Sequence, residues 1–283
     1  MKSPAAALPL AAPCRSLQAG AALRWLRLGW RDLRAGLRVS GLYGAVIALL
    51  SAGTTLLAWK FGSTALVLAM LSGFVFLAPL LATGLYSVSR QLHRNERPTL
   101  RQTLVRMRSA LGNALVFALV LIVIFLVWVR AAVMVHVFFP TSGGLGQWLT
   151  FLSVGSAVGA IFAAVTFAAS AFSLPMIVDR EVDMITACIT SVHAVLRNRL
   201  ALAVWAIAIV VLTVIGIAAA GVGLAIVIPW LGHATWHAYS ETIDATAWPP
   251  TGPAVSGGTG RPSPQSNQEE RGATRADTER GIR

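Results

Sequence analysis

The run 200-LALAVWAIAIVVLTVIGIAAAGVGLAIVIPWLGHATWHAY-239 contains no charged residue, and its reading decides the fold. A hydrocarbon core of ~30 Å takes about 20 apolar residues as a helix. At ~1.5 Å per residue a single helix of this length would reach roughly 60 Å, twice what one crossing needs. Gly221-Val222-Gly223 supplies a natural break, so the run reads as two spans, 200–220 and 222–239.

Working outward, four more runs have spanning length: 39–59, 63–89, 113–139 and 148–178. The whole chain agrees with a membrane class. Of 283 residues 56% are hydrophobic and only 12% charged, with mean hydropathy +0.69. The sequence therefore predicts an all-α polytopic membrane protein of six transmembrane helices arranged as three hairpins. Residues 1–22, interrupted by Pro4, Pro9 and Pro13, read as a disordered leader without a cleavage site. Residues 23–240 form the integral membrane domain. The Pro, Gly, Ser and charge-rich stretch 241–283 reads as a disordered cytoplasmic tail.

Lys and Arg total 23 against 11 Asp and Glu, and their placement explains the excess. Arg24, Arg27, Arg31, Arg34 and Arg38 precede the first span; Arg90, Arg94, Arg97, Arg101, Arg106 and Arg108 join the second to the third; Arg180, Arg197 and Arg199 join the fourth to the fifth. Lys60 alone lies among the opposite connections. The positive-inside rule then puts both termini in the cytoplasm. Topology accounts for the charge without nucleic acid, and no aromatic-basic interleaving suggests base stacking. Cys14 and Cys188 both fall on the cytoplasmic side, which argues against a disulfide.

Each basic segment is also amphipathic. Leu23, Leu26, Trp30, Leu33 and Leu37 recur at helical spacing beside the arginine stripe; Leu100, Leu104, Met107 and Leu111 do so after Pro98-Thr99; Ile185, Cys188, Ile189, Val192 and Leu196 form a third row. Pro98 to Asn113 aligns without gaps with Asp183 to Asn198, and Pro79, Pro175 and Pro229 mark the second helix of each hairpin. The expectation is three units, each a surface helix followed by a hairpin, with leucines toward lipid and arginines toward anionic headgroups.

Three groups of residues stand out for chemistry. His233, His237 and Glu241 share one helical face at i, i+4, i+8, the spacing at which two histidines hold a metal, with His93, His193, Asp179, Glu181 and Asp183 on the same side to complete a shell. Their other reading is an interfacial anchor rich in histidine and aromatics. Arg130 is the one charge inside an expected span, near enough to its outer end to snorkel, or else to serve an anion or a headgroup. Gly155, Gly159 and Ala163 form a small-xxx-small stripe that predicts close helix packing, within the chain or between copies in a homo-oligomer. No Walker loop, dinucleotide fingerprint, CxxC or HExxH is present, so neither an enzyme nor a cofactor is indicated.

Four stretches have a familiar wording: Gly29-Trp30-Arg31-Asp32-Leu33; Gly73-Phe74 through Pro79-Leu80-Leu81-Ala82 to Gly84-Leu85-Tyr86; Ser173-Leu174-Pro175 with Asp179-Arg180-Glu181-Val182-Asp183; and Gly232-His233-Ala234-Thr235-Trp236-His237-Ala238-Tyr239. They resemble a bacterial family of uncharacterised integral membrane proteins, domain of unknown function 2189, over roughly Leu23 to Ser240. The resemblance implies a multi-pass protein of the bacterial inner membrane and no established activity. Function is then expected to be small-solute transport or membrane organisation, with a metal- or haem-binding accessory of respiratory membranes as the alternative.

Overall fold

The computed structural model describes residues 9–18, 20–62, 81–139, 144–219 and 222–251. The expected second span, 63–89, lies largely outside these, as do Pro79, Gly221, residues 1–8 of the leader and residues 252–283 of the tail. The described residues are mostly helical, and their only β pairing is two isolated bridges, Cys14 with Ile243 and Arg180 with Pro250.

In chain order the helices are α1 (Ala21–Ala35), α2 (Leu37–Phe61), α3 (81–93), α4 (Leu100–Phe138), α5 (Leu145–Ser170), α6 (Ser173–Asp179), α7 (Met184–Arg197), α8 (Arg199–Ala218) and α9 (Leu224–Thr242). Among the described residues four stretches are long and apolar enough to cross a membrane: Leu37–Thr54, Ala110–Phe138, Leu145–Asp179 and Arg199–Ala218. Within the long uncharged run α8 ends at Ala218 and α9 starts at Leu224. Yet α9, the expected sixth span, is not among the four. It packs against α1, α2 and α8, and its second half is almost wholly buried by protein.

Local chemistry explains several boundaries. Thr99 caps α4 by accepting from the Gln102 N–H, and Asp183 caps α7 by accepting from that of Thr186 at 2.9 Å. Asn95, at φ 57°, sits in the left-handed turn that follows α3. Between α5 and α6 the helix is interrupted at Ala171-Phe172, four residues before Pro175, whose ring excludes the preceding turn's carbonyl. Ser191 of α7 repairs the break, accepting from the Phe172 N–H at 3.1 Å and donating to the Ala168 carbonyl at 2.7 Å. Pro229 likewise frees the carbonyl of Ala225 inside α9, and Gly44 of α2, lacking a β-carbon, closes onto that oxygen.

The repeat is looser than the alignment suggests. A break separates surface helix from span at Gly36 and at Asn198, but α4 runs unbroken through Asn113. Both aligned asparagines still tie down backbone: Asn113 donates to Val182, and Asn198 donates to Arg15 while accepting from the Leu17 N–H.

Two boundaries need correcting. Residues 9–18, expected as part of a disordered leader, form a strap across α7 and α9. The Ala12 N–H donates to Thr190 at 3.0 Å, Arg15 N–H to the Thr242 carbonyl at 2.8 Å, and the Asp244 N–H returns a bond to Pro13 at 2.9 Å. Residues 241–251, expected in the tail, are also packed: Ile243, Ala245 and Trp248 are buried, and the Glu181 N–H donates to Pro249. Three buried side chains (Ile243, Ala245, Trp248) offset the ordering cost of this segment, which a reading of its polar composition misses.

Candidate functional site

The row on α9 is where the sequence concentrates its polar side chains, and the structure gives each member a separate partner. His233 is fully buried, with Ser40 Oγ 2.8 Å from Nε2 and Ser89 Oγ 2.6 Å from Nδ1. A neutral imidazole donates from one nitrogen and accepts at the other, and a serine hydroxyl fills either role, so the pair saturates the ring. His237 places Nε2 2.8 Å from Asp32 Oδ2 of α1, both groups being buried. Glu241 accepts from the Arg24 guanidinium and, at 2.9 Å, from the Trp25 indole N–H. Burial alone would raise the Glu241 carboxyl, but the bonds from Arg24 and Trp25 outweigh it and hold it below the usual carboxylate range.

These three residues therefore fasten α9 to α1, α2 and α3. They do not converge on a common point, and among the described residues no group of three or more His, Cys, Asp or Glu is placed to hold a metal ion. The expected shell is dispersed too. His193 lies 3.6 Å from the Cys14 sulfur, Asp183 caps α7, and Asp179 binds Arg90, Arg180 and Tyr239. Trp236 is buried, whereas Trp148 is exposed.

Packing makes the same junction tight. Trp25 is fully buried and meets Trp205 edge to face at 5.6 Å; Trp30 meets Trp230, whose indole donates to the Leu26 carbonyl at 2.7 Å. Gly29 faces Ala234 where a β-carbon would come within 2.6 Å of backbone nitrogen. The helices can cross this closely only because that position is glycine.

Arg130 is exposed on α4, and among the described residues its side chain makes no ion pair or hydrogen bond. Gly155 and Gly159 face Val135 and Trp128 of α4 at 3.8 Å from an added β-carbon, an ordinary van der Waals distance. The stripe therefore borders its neighbour without being squeezed by it. Gly159 and Ala163 instead line an apolar groove of about 620 Å³ between α4 and α5.

α1, α7 and the start of α4, the three expected surface helices, can be compared face by face. In α1 the inward face is Ala22, Trp25, Gly29, Asp32 and Leu33; in α7 it is Ala187, Thr190, Ser191 and Ala194; at the start of α4 it includes Thr103 and Ala110. Apart from Trp25 and Leu33 the inward residues are small or polar, and part of each apolar row looks out: Leu23 is 69%, Leu104 52% and Ile185 65% exposed. Leu33 is buried at the α1 junction, and Leu26, Trp30, Met107, Leu111, Cys188 and Val192 are half-buried, Leu26 and Cys188 against the core. Arg27, Arg31, Arg38, Arg101, Arg108, Arg197 and Arg199 are exposed alongside.

Residues 66–179 match a family described as predicted integral membrane protein (DUF2189). The chain resembles that family over this central part, which includes the Pro79 to Tyr86 and Ser173 to Asp179 wording. The Gly29 and Gly232 motifs lie outside the matched residues. No curated protein and no solved structure matches the chain.

Proposed function

We propose that the chain is a non-enzymatic organiser of the bilayer around it, seated in the inner membrane of a bacterium with both termini cytoplasmic. The observation that carries this reading is the common orientation of α1, α7 and the start of α4, each of which turns large apolar residues and arginines outward together. A helix with that surface lies in the headgroup layer, its leucines among the acyl chains and its guanidinium groups against anionic lipid. Each arginine near an anionic leaflet contributes about 1 kcal/mol, and salt screens it over a Debye length of ~8 Å.

The test is thermal unfolding of the full chain in nanodiscs of phosphatidylglycerol and of phosphatidylcholine with matched acyl chains. The midpoint should be higher in the anionic bilayer, and the gap should close as salt rises. The combined variant Arg27→Gln, Arg31→Gln and Arg38→Gln should lose most of the gap. Equal midpoints in both lipids for the wild type would end the proposal.

A further inference from the structure

Several segments line a partly open cavity of about 240 Å³, many times the roughly 10–15 Å³ that one water needs. α3 brings Arg90, His93 and Arg94; the end of α6 brings Asp179, with Arg180 just beyond it; α9 brings Trp236. Arg15 of the strap and Asp244 complete the charged part of the wall.

The acidic groups here are already engaged. Asp179 is held by Arg90 Nε at 3.1 Å, by Arg180 Nε at 3.0 Å and by the Tyr239 hydroxyl at 3.0 Å. Asp244 accepts from the Thr246 hydroxyl at 2.7 Å, and Arg15 stands 3.7 Å away. Four arginines thus face two aspartates, and the surplus is positive. Arg94 is exposed and, among the described residues, its side chain makes no ion pair or hydrogen bond. Trp236 is only 3% exposed, and its indole N–H has no hydrogen-bond partner among the described residues. A buried N–H without an acceptor is uncommon because it forfeits its hydration.

We propose that this cavity binds a phosphate group, met by the guanidinium groups of Arg94 and Arg15 on its exposed side and by the Trp236 indole N–H in its wall. Guanidinium groups and an indole N–H are donors only, and phosphate offers several acceptor oxygens with a charge that matches the surplus. The phosphate belongs either to a free phosphorylated solute or to a phosphomonoester lipid headgroup; the recognition chemistry is the same. This goes beyond the interfacial reading, because the contact is a partly open pocket walled by several segments and not an exposed helix face.

Two arms of one experiment separate the sources. In the first, the detergent-purified full chain is titrated with inorganic phosphate and followed by calorimetry and unfolding midpoint. In the second, the chain is placed in phosphatidylcholine nanodiscs carrying phosphatidic acid or, at equal charge, phosphatidylglycerol. Saturable phosphate binding in the first arm supports a free solute; a higher midpoint with phosphatidic acid than with phosphatidylglycerol in the second supports a headgroup. In whichever arm responds, Arg94→Ala should weaken the effect about tenfold, in line with loss of a charge-assisted bond. Trp236→Phe, which keeps the ring and deletes only the N–H, should weaken it a few-fold.

No response in either arm overturns the proposal, and so does a response that Arg94→Ala leaves unchanged. The variant with glutamine at 27, 31 and 38 should keep the pocket response. If it loses the general anionic preference while Arg94→Ala changes nothing, the interfacial reading stands and the pocket falls. The opposite pattern keeps the pocket and removes the interfacial reading.

Discussion

Where α1 crosses α9, a β-carbon on Gly29 would come within 2.6 Å of Ala234; where α4 runs beside α5, one on Gly159 would sit 3.8 Å from Trp128. Both glycines lie on helix faces turned toward a neighbour, but only the first is required by the packing. The α1–α9 crossing also carries the buried His237–Asp32 pair and the Trp30–Trp230 ring contact, whereas the α4–α5 pair leaves an apolar groove. The small-xxx-small stripe, which is the stronger sequence signal, marks the looser of the two interfaces. The lesson is that an apolar helix pair in lipid has little to gain from excluding acyl chains, while a helix bearing His233, His237 and Glu241 must find protein partners.

The largest effect should separate the two regions by truncation. Trp25→Ala removes a fully buried indole and its bond to Glu241, and it should cost about 3–5 kcal/mol of unfolding free energy in detergent. Trp128→Ala, at a position 37% exposed beside the groove, should cost less than half as much. Equal costs would mean that the α1–α9 junction is not the more tightly built.

Next, Asp32→Ala strands the His237 ring in a buried site and should cost about 1–3 kcal/mol. A double-mutant cycle with His237→Ala should return a coupling of roughly 0.5–3 kcal/mol, measured by chemical unfolding. Additive losses would show that the two side chains do not depend on one another.

Glycine substitutions give a comparison of opposite sign. Gly29→Ala should destabilise by about 1–3 kcal/mol, because helix backbone and not a flexible side chain must move. Gly159→Ala should be neutral or stabilising by up to about 1 kcal/mol, since it improves helix propensity without a clash. Unfolding midpoints of the two variants check this directly.

The smallest effect is with pH. The Glu241 carboxyl is held below its ordinary range in the folded chain, so the unfolded chain takes up its proton first as pH falls. Its contribution is fully present above the unfolded value of about 4.3 and is lost as pH drops through the lower folded value. Glu241→Gln should flatten the acid limb of the midpoint curve below about pH 4.3 and leave the neutral plateau shifted but level.

Much of the frame was legible from sequence. The uncharged runs 39–59, 113–139, 148–178 and 200–220 coincide with the four long apolar stretches found among the described residues, and α8 and α9 divide the last run. The rows of large apolar residues were legible, and half of their members are exposed. What failed to show was the inward face. Ala187, Thr190, Ser191 and Ala194 carry no hydrophobic signal, yet they pack because small residues let helices approach and because Thr190 and Ser191 satisfy backbone elsewhere. The metal-like spacing of His233, His237 and Glu241 was real as geometry on one helix. Periodicity on one helix says nothing of the partners opposite, and Ser40, Ser89, Asp32 and Arg24 come from three other helices. The cavity was invisible for the same reason, since Arg15, Arg94, Arg180 and Trp236 are drawn from separate segments.

The most direct measurement of the account is the lipid selectivity of the reconstituted chain, read by electron spin resonance with spin-labelled phosphatidylglycerol and phosphatidylcholine. The account predicts a larger motionally restricted fraction for phosphatidylglycerol than for phosphatidylcholine, falling toward equality at high salt and in the variant with glutamine at positions 27, 31 and 38. Identical restricted fractions for the two lipids at low salt would contradict it.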